Sequence, residues 1–252
     1  MAKVKSIVQL KGTIGDTNFY IRKGVPLARS AGGGFNGEAI KTKDSMLRVR
    51  ENGSEFGKCM KSVRFFKMGL NPFLCSFKDG TLHERLVSLF TKIKDLDFNS
   101  ERGARTVYSG LQTAAGQQLL NGYLLTSGAR LEGLLRSPFH FDWTMGFSIP
   151  DFEGKSVSFA VGATHLALRI GHLTLDFEHT IFSFGSSDTV YLSPTAVGTV
   201  VIPAPALVDA EGIRVGIVLA RFVQEMNGEF YLLKNEKSVV MQVVSCEFGL
   251  IG

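Results

Sequence analysis

Residues 217–233 read IVLARFVQEM-NG-EFYLL, and this stretch decides the predicted fold of the C-terminal half. Its two flanking runs are rich in β-branched, aromatic and other apolar residues, as strands are. They enclose Asn227-Gly228, the pair that a type I′ turn prefers because both central residues need positive φ. The stretch therefore predicts a β-hairpin.

Working outward, the same period of two recurs from about residue 137 onward. Leu166, Leu168 and Ile170 alternate with other residues, and further strands are expected over 195–202 and 238–248. About seven short strands separated by turn signals are typical of an antiparallel sandwich or barrel. We predict a C-terminal antiparallel β-sandwich domain over residues 137–252.

The preceding region, residues 1–136, has a different pattern. Apolar residues on both sides of the glycine-containing turn KGTIGD, residues 11–16, predict a basic β-hairpin. Residues 31–37, AGGGFNG, are too rich in glycine for a regular element and predict a mobile link. The fold class predicted for the whole chain is α+β: a basic N-terminal hairpin, two to three helices and the β-sandwich.

Three helices are expected between the link and the sandwich. The first begins near Asp44, with a kink near Asn52-Gly53, and the third covers about 104–121. The second begins at Thr81, where Thr81 and Glu84 have the spacing of a capping box. Residues expected on the buried stripes are Val49, Phe56, Met60, Val63 and Lys67 of the first helix, and Leu86, Leu89 and Ile93 of the second.

Charge divides sharply along the chain. Residues 1–70 contain 14 Lys/Arg and 5 Asp/Glu, whereas residues 141–252 contain 6 and 12. A basic half joined to an acidic half favours binding of an external polyanion, or binding of further copies of the chain head to tail. The same asymmetry would also arise if the acidic sandwich packed on the basic helices of its own chain.

Four motifs occur together in this order: KGTIGDxxFY at residues 11–20, RxRENGSEFG at 48–57, GATH at 162–165 and FxQExNGxxYxLKN at 222–235. The series resembles a family of uncharacterised proteins that is common in Bacteroidota and known only as a domain of unknown function. The resemblance implies a bacterial source and a two-part layout. It supplies no catalytic residue and no cofactor.

The residues themselves predict no catalytic, cofactor or metal site, and we expect a protein that is not an enzyme. His165, His172 and His179 recur every seven residues, but a step of seven reverses the face of a strand, so the three do not converge on one ion. The glycine loops lack P-loop and dinucleotide signatures, and no serine or cysteine lies in a nucleophile motif. The three cysteines are too few and too scattered for a disulfide framework.

No Sec signal peptide and no transmembrane segment is predicted, which leaves a cytoplasmic location or export by a non-Sec route. The candidate site is a basic interaction surface, whose residues are Arg22, Lys23 and Arg29 on the hairpin and Arg48, Arg50, Lys58, Lys61 and Arg64 on the first helix. The leading hypothesis is a structural protein that assembles with copies of itself into a homo-oligomer or filament. The alternatives are nucleic-acid binding through residues 3–67 and a merely solvated basic face.

Overall fold

The computed structural model describes residues 2–4, 10–31, 37–206, 212–233 and 238–249. Helices and antiparallel sheets are both present, which confirms the mixed helix-and-strand class and the N-terminal hairpin. Two expectations fall largely outside the described residues: the strand containing Ile7 and Val8, and the glycine link at 32–36.

The structure separates into two compact units, Met1–Glu51 and Asn52–Gly252. The predicted boundary between residues 136 and 137 falls inside the larger unit. Residues from both sides of that position share one hydrophobic core there, because helices from before it pack on strands from after it.

The smaller unit contains a four-stranded antiparallel sheet. Its strands are β1 Ala2–Lys3, β2 Gly12–Ile14, β3 Thr17–Arg22 and β4 Val25–Ser30, arranged in the order β1-β4-β3-β2. Lys23 and Gly24 both have positive φ in the turn that joins β3 to β4, and Gly15 has positive φ in the turn before β3. Helix α1, Gly37–Thr42, and a 3₁₀ turn at Asp44–Met46 follow.

Six α-helices follow among the described residues: α2 Leu47–Gly69, which begins in the smaller unit, α3 Asn71–Leu74, α4 Leu82–Lys94, α5 Val107–Leu111, α6 Ala114–Leu120 and α7 Leu131–Leu135. The remaining strands are β5 His140–Asp142, β6 Gly146–Glu153, β7 His165–Asp176, β8 Ile181–Ser186, β9 Val190–Leu192, β10 Val197–Ile202, β11 Gly212–Met226, β12 Glu229–Leu232 and β13 Val239–Gly249. They form a three-stranded sheet, β10-β6-β5, and a curled six-stranded sheet around β7 and β11.

Strands β7 and β11 pair along almost their full length. The side chains on the two faces of this pair pack into two different hydrophobic clusters. The face with Leu173 and Ile217 packs against the helices, together with Phe66 and Phe90. The opposite face, with Leu168 and Val218, shares a second cluster with residues of the three-stranded sheet and α7. The predicted hairpin at Asn227-Gly228 is present as β11–β12, with positive φ at both turn residues. The predicted β-sandwich is not confirmed.

The predicted stripe of α2 is largely wrong. Helix α2 runs through Asn52-Gly53 without interruption, and its buried residues are Glu55, Cys59, Val63, Phe65, Phe66 and Gly69. Val63 alone belongs to both sets, and Phe56 is 54% exposed. The buried side is a second apolar series of the same helix, Cys59, Val63 and Phe66, and Glu55 lies on that side because ion pairs neutralise its charge there.

The second helix begins as expected after Thr81, and Leu86, Leu89 and Ile93 are buried. Its cap differs from the prediction, because the Thr81 side chain does not cap the helix. Instead Asp79 Oδ1 accepts hydrogen bonds from the backbone N–H groups of Thr81 and Leu82 at 2.8 and 3.1 Å. Asp79 Oδ2 also pairs with Arg85 at 2.6 Å. Burial raises the pKa of Asp79, but these hydrogen bonds and the Arg85 charge outweigh it and hold the pKa below its usual value.

The Asp79 cap gives a first prediction. Asp79→Ala removes the carboxylate that accepts from two backbone N–H groups and pairs with Arg85, so we expect it to lower the free energy of unfolding by about 1–3 kcal/mol. Thr81→Ala should cost less than about 1 kcal/mol, because it removes no helix-capping acceptor. Urea unfolding of both variants measures the difference. If the two variants lost equal stability, or if Thr81→Ala lost more, the result would indicate that Thr81 and not Asp79 caps α4.

The third predicted helix is two short helices, α5 and α6, because Thr106 and Thr113 each start a new one. The hydroxyl of Thr106 accepts from Ser109 N, and that of Thr113 accepts from Gly116 N. Gly110 permits close packing of α5 on α4, since a Cβ there would lie 2.0 Å from the Ile93 carbonyl oxygen.

Candidate functional site

The sheet of the smaller unit is amphipathic, and strand register assigns each side chain to a face. One face, called the apolar face, carries no charge: Gly12, Ile14, Thr17, Phe19, Ile21, Pro26, Ala28 and Ser30. The other, the basic face, carries Lys3, Thr13, Asn18, Tyr20, Arg22, Val25, Leu27 and Arg29. Two of the three predicted hairpin cations, Arg22 and Arg29, therefore lie on one side of the sheet.

No described residue of the smaller unit is buried. On the apolar face, Ile14 is 61% exposed and Ile21 is 43% exposed. A small sheet with one apolar face normally buries that face against another layer. The apolar face is therefore a candidate contact surface.

The cations of the basic face are spread along the β3–β4 hairpin, with Arg22 at the turn and Arg29 toward the other end of β4. Arg22 is the last residue of β3, and Lys23 follows it in the turn with φ 50°. The Arg29 guanidinium lies over the Tyr20 ring, 5.6 Å from the ring centroid. All three cationic residues are exposed.

The predicted cations of α2 divide into two groups. Three of them bind groups of their own chain, so part of their donor capacity is used within the fold. Arg48 pairs with Glu51 at 2.9 Å, and Arg50 Nη1 donates to the carbonyl oxygens of Ile40 and Lys43 at 2.7 and 2.9 Å. Lys58 Nζ donates to the Ala104 carbonyl oxygen at 2.8 Å.

The other two, Lys61 and Arg64, are exposed and lie together. They line a groove of about 870 Å³ with Lys67, which the sequence analysis had assigned to the buried stripe. Phe182 of β8 also lines this groove and is 39% exposed. The groove thus combines three cations with apolar surface.

The exposed described surface of residues 141–252 is strongly acidic. Its exposed described acidic residues are Asp142, Asp151, Glu153, Glu178, Asp188, Glu225 and Glu229. Among the described cations of this half, Lys155 is exposed, whereas Arg169 and Arg214 are half-buried and Arg221 is buried. Withdrawal of these arginines from the surface leaves the acidic groups in excess there.

A buried ionic cluster fixes α2 against α4 and the loop before α5. Glu55 accepts hydrogen bonds from Lys94 Nζ at 2.6 Å, from Arg105 Nε at 2.8 Å and from the Gly103 backbone N–H at 2.8 Å. Burial raises the pKa of Glu55, but the hydrogen bonds from Arg105, Lys94 and Gly103 outweigh it and lower the pKa to about 2. The carboxylate is therefore structural: every bond it makes holds the fold.

The three histidines do not converge. His165 begins β7, His179 lies in the turn after β7, and His172 is buried between them. The rings of Phe141 and Trp143 lie 5.6 and 5.1 Å from the His172 ring, and neither ring nitrogen has a hydrogen-bond partner among the described residues. Burial, and secondarily the charge of Arg214, lowers the pKa of His172 to about 4. Within the described part of the chain, no group of three or more His, Cys, Asp or Glu is placed to hold a metal ion.

Comparison of the chain with protein-family models, with curated proteins and with solved structures finds no match. The resemblance to the Bacteroidota family, the cellular location and the function stay predictions. Of the helices in the described ranges, none is long and apolar enough to span a membrane.

Proposed function

We propose that this chain is a structural protein that assembles with copies of itself, and that the smaller unit provides the contact. The observation that carries the proposal is the apolar face of the smaller unit. That face places Ile14, Phe19 and Ile21 on one side of a sheet in a unit with no buried described residue. Burying this face against a second copy would supply the core that the small sheet lacks.

Charge supports a second copy as the occupant. The smaller unit is rich in Lys and Arg, whereas the exposed described surface of residues 141–252 has seven acidic residues and one lysine. A contact between the basic end of one copy and the acidic end of the next is heterologous, so it repeats into a ring or an open filament. Such electrostatic complementarity also orients the incoming copy.

The edge of the three-stranded sheet supports strand exchange as the means of contact. We propose that this sheet and the six-stranded sheet act together as the predicted β-sandwich, since residues of both share one hydrophobic cluster. Strand β10 is outermost in its sheet, and Val197 and Val201 are 76% and 59% exposed. An open edge with exposed apolar side chains accepts a strand from a neighbour, here one of the N-terminal strands.

The test is the oligomeric state of the full chain, purified with nuclease treatment. Sedimentation velocity and light scattering at about 50 μM and low salt should show oligomers, and electron microscopy should show regular particles or filaments. The double variant Ile14→Asn/Ile21→Asn should remain folded and become monomeric, because it makes the apolar face polar.

Val25→Asn is the matched control, since Val25 is 40% exposed but lies on the basic face. We expect it to assemble as the wild type does. A full-length chain that stays monomeric in low salt would refute the proposal. Equal loss of assembly in the control and in the double variant would show that the apolar face is not the contact.

A second candidate function, binding of nucleic acid, is favoured by the basic face. Arg29 lies over the Tyr20 ring and Arg22 is on the same face of the sheet, and cations beside an aromatic ring suit a phosphate backbone and a stacked base. This candidate predicts that nucleic acid copurifies without nuclease treatment and is released by salt. The charge variant Arg22→Gln/Arg29→Gln should then reduce the slope of log affinity against log salt by about 2 for single-stranded DNA.

A further inference from the structure

Arg221 is a buried arginine in the middle of strand β11. It is 8% exposed, and its side chain points from the helix-facing side of the sheet, the side that also carries Leu219 and Val223. Burial lowers the pKa of Arg221, yet an arginine keeps its charge at neutral pH. Because an isolated buried charge is costly, such a residue normally has a carboxylate partner.

No carboxylate pairs with Arg221 among the described residues. Its guanidinium makes one hydrogen bond there, from Nη2 to the Ser76 carbonyl oxygen at 3.0 Å, and its buried Nε–H has no partner. The contrast with the neighbouring strand is direct. Arg169 is satisfied by its own chain, since it donates to Ser186 Oγ at 2.6 Å and lies over the Phe73 ring.

Arg221 borders a cavity of about 550 Å³ between the sheet and the segment that follows α3. The cavity has apolar walls from Phe77, Leu232, Leu233 and Val239, and polar groups from Ser76, Thr126 and Ser127. A volume in this range suits a small organic ligand, and such sites pair apolar walls with a few polar groups that orient the ligand. A second, smaller cavity of about 180 Å³ meets Arg221 from its other side.

We propose that this cavity binds a small organic carboxylate, with the carboxylate on the Arg221 guanidinium and the apolar body along Leu232, Leu233 and Val239. The ligand supplies the negative charge that the described chain does not. Asp79, the one acidic residue among the described residues of the cavity wall, is already bound to the start of α4 and to Arg85. Lys78, which is exposed in the same wall, adds positive charge at the entrance.

A carboxylate with an apolar body fits better than inorganic phosphate. One buried guanidinium balances one negative charge, and apart from Lys78 at the entrance the described residues of the other walls offer apolar surface and neutral polar groups rather than further cations, Asp79 being paired already. Planar carboxylates match the paired N–H donors of a guanidinium, and a charge-assisted hydrogen bond in a site of low dielectric is stronger than one in water.

The test uses octanoate as the probe and full-length protein. Isothermal titration calorimetry should give one site per chain with a Kd below about 1 mM. Octanamide has the same shape without the charge, so its affinity should be weaker by about tenfold or more. Inorganic phosphate should neither bind with comparable affinity nor displace octanoate.

Arg221→Met removes the charge and keeps most of the side-chain length, and it should weaken octanoate binding by about tenfold or more. Arg214→Met is the matched control, because Arg214 lies on the same strand but on the opposite face, and it should bind as the wild type does. Cys75 gives an independent readout. Of the three thiols it alone is exposed, and it lines the cavity, so octanoate should slow its reaction with a thiol reagent.

Three results would overturn the proposal: no saturable octanoate binding, equal affinity for octanoate and octanamide, or unchanged affinity in Arg221→Met. If phosphate displaced octanoate at equal concentration, the site would be a simple anion site and the proposed ligand class would be wrong. The comparison of octanoate with octanamide on the wild-type chain decides the matter even if Arg221→Met fails to fold.

Discussion

Glu55→Ala is expected to lower the free energy of unfolding by about 3–5 kcal/mol, the range found when one partner of a buried ion pair is removed. The loss exceeds that of a surface ion pair because Lys94 would remain buried without its carboxylate at 2.6 Å. Arg105 and the Gly103 backbone N–H would lose acceptors in the same step. The buried ionic cluster that holds α2 against α4 and the loop before α5 would be lost.

Urea unfolding followed by circular dichroism measures this loss. Glu101→Ala is the matched control, since Glu101 is an exposed acidic residue of the same loop, and we expect a change within about 0.5 kcal/mol. If the two variants lost equal stability, the ionic cluster would contribute nothing specific to the fold.

The same carboxylate predicts an acid-sensitive component of stability. The pKa of Glu55 is about 2 in the folded chain, against an ordinary value of 4.5. Its contribution is therefore fully present above about pH 4.5, is lost as the pH falls toward 2, and amounts to roughly 3 kcal/mol. His172 also makes the folded chain less stable in acid, but between pH 6.5 and about 4. Its pKa is depressed in the folded chain, so the unfolded chain takes up the proton first. In Glu55→Gln the Glu55 component should be lost, whereas the components of His172 and of Asp79, whose folded pKa is also lowered, should remain.

The features that sequence analysis predicts correctly depend on neighbouring residues in the chain. The β11–β12 hairpin follows from the conformational demand of Asn227-Gly228, and the stripe Leu86, Leu89 and Ile93 follows from helical spacing. Both signals lie within a dozen residues or so, and nothing distant contradicts them.

The features that it misses depend on distant residues. Glu55 is buried because Lys94 and Arg105 reach it from 39 and 50 residues away, and no local pattern contains that pairing. Glu55 lies on the buried side of α2 with Cys59, Val63 and Phe66, about one position from the predicted stripe. Lys58 is engaged for the same kind of reason, through the Ala104 carbonyl oxygen 46 residues away.

The candidate site shows the same division. Composition locates the basic segment, but only strand register separates Arg22 and Arg29 on the basic face from Ile14 and Ile21 on the apolar face. The sequence did contain a signal for Arg221, a single charge within the apolar run 217–223. Its lack of a carboxylate partner among the described residues could be seen only in three dimensions.

The last prediction compares two phenylalanines of α2 that lie ten positions apart. Phe66 has no exposed surface, and its ring packs edge-to-face on Phe90 with centroids 5.3 Å apart. Phe66→Ala should therefore cost about 3–5 kcal/mol, through lost burial and the cavity left behind. Phe56→Ala should change stability by less than about 0.5 kcal/mol, because Phe56 is 54% exposed and alanine favours a helix.

Urea unfolding at low protein concentration compares the two variants directly. The pair separates two positions for the core side of α2, since hydrophobic periodicity assigns Phe56 to it and the structure assigns Phe66. A larger loss of stability for Phe56→Ala would show that Phe56, and not Phe66, lies on the buried side of α2. It would also contradict the burial of Glu55. The expected order instead places the buried side of α2 on the series Cys59, Val63 and Phe66, the side that also carries Glu55 and its ion pairs.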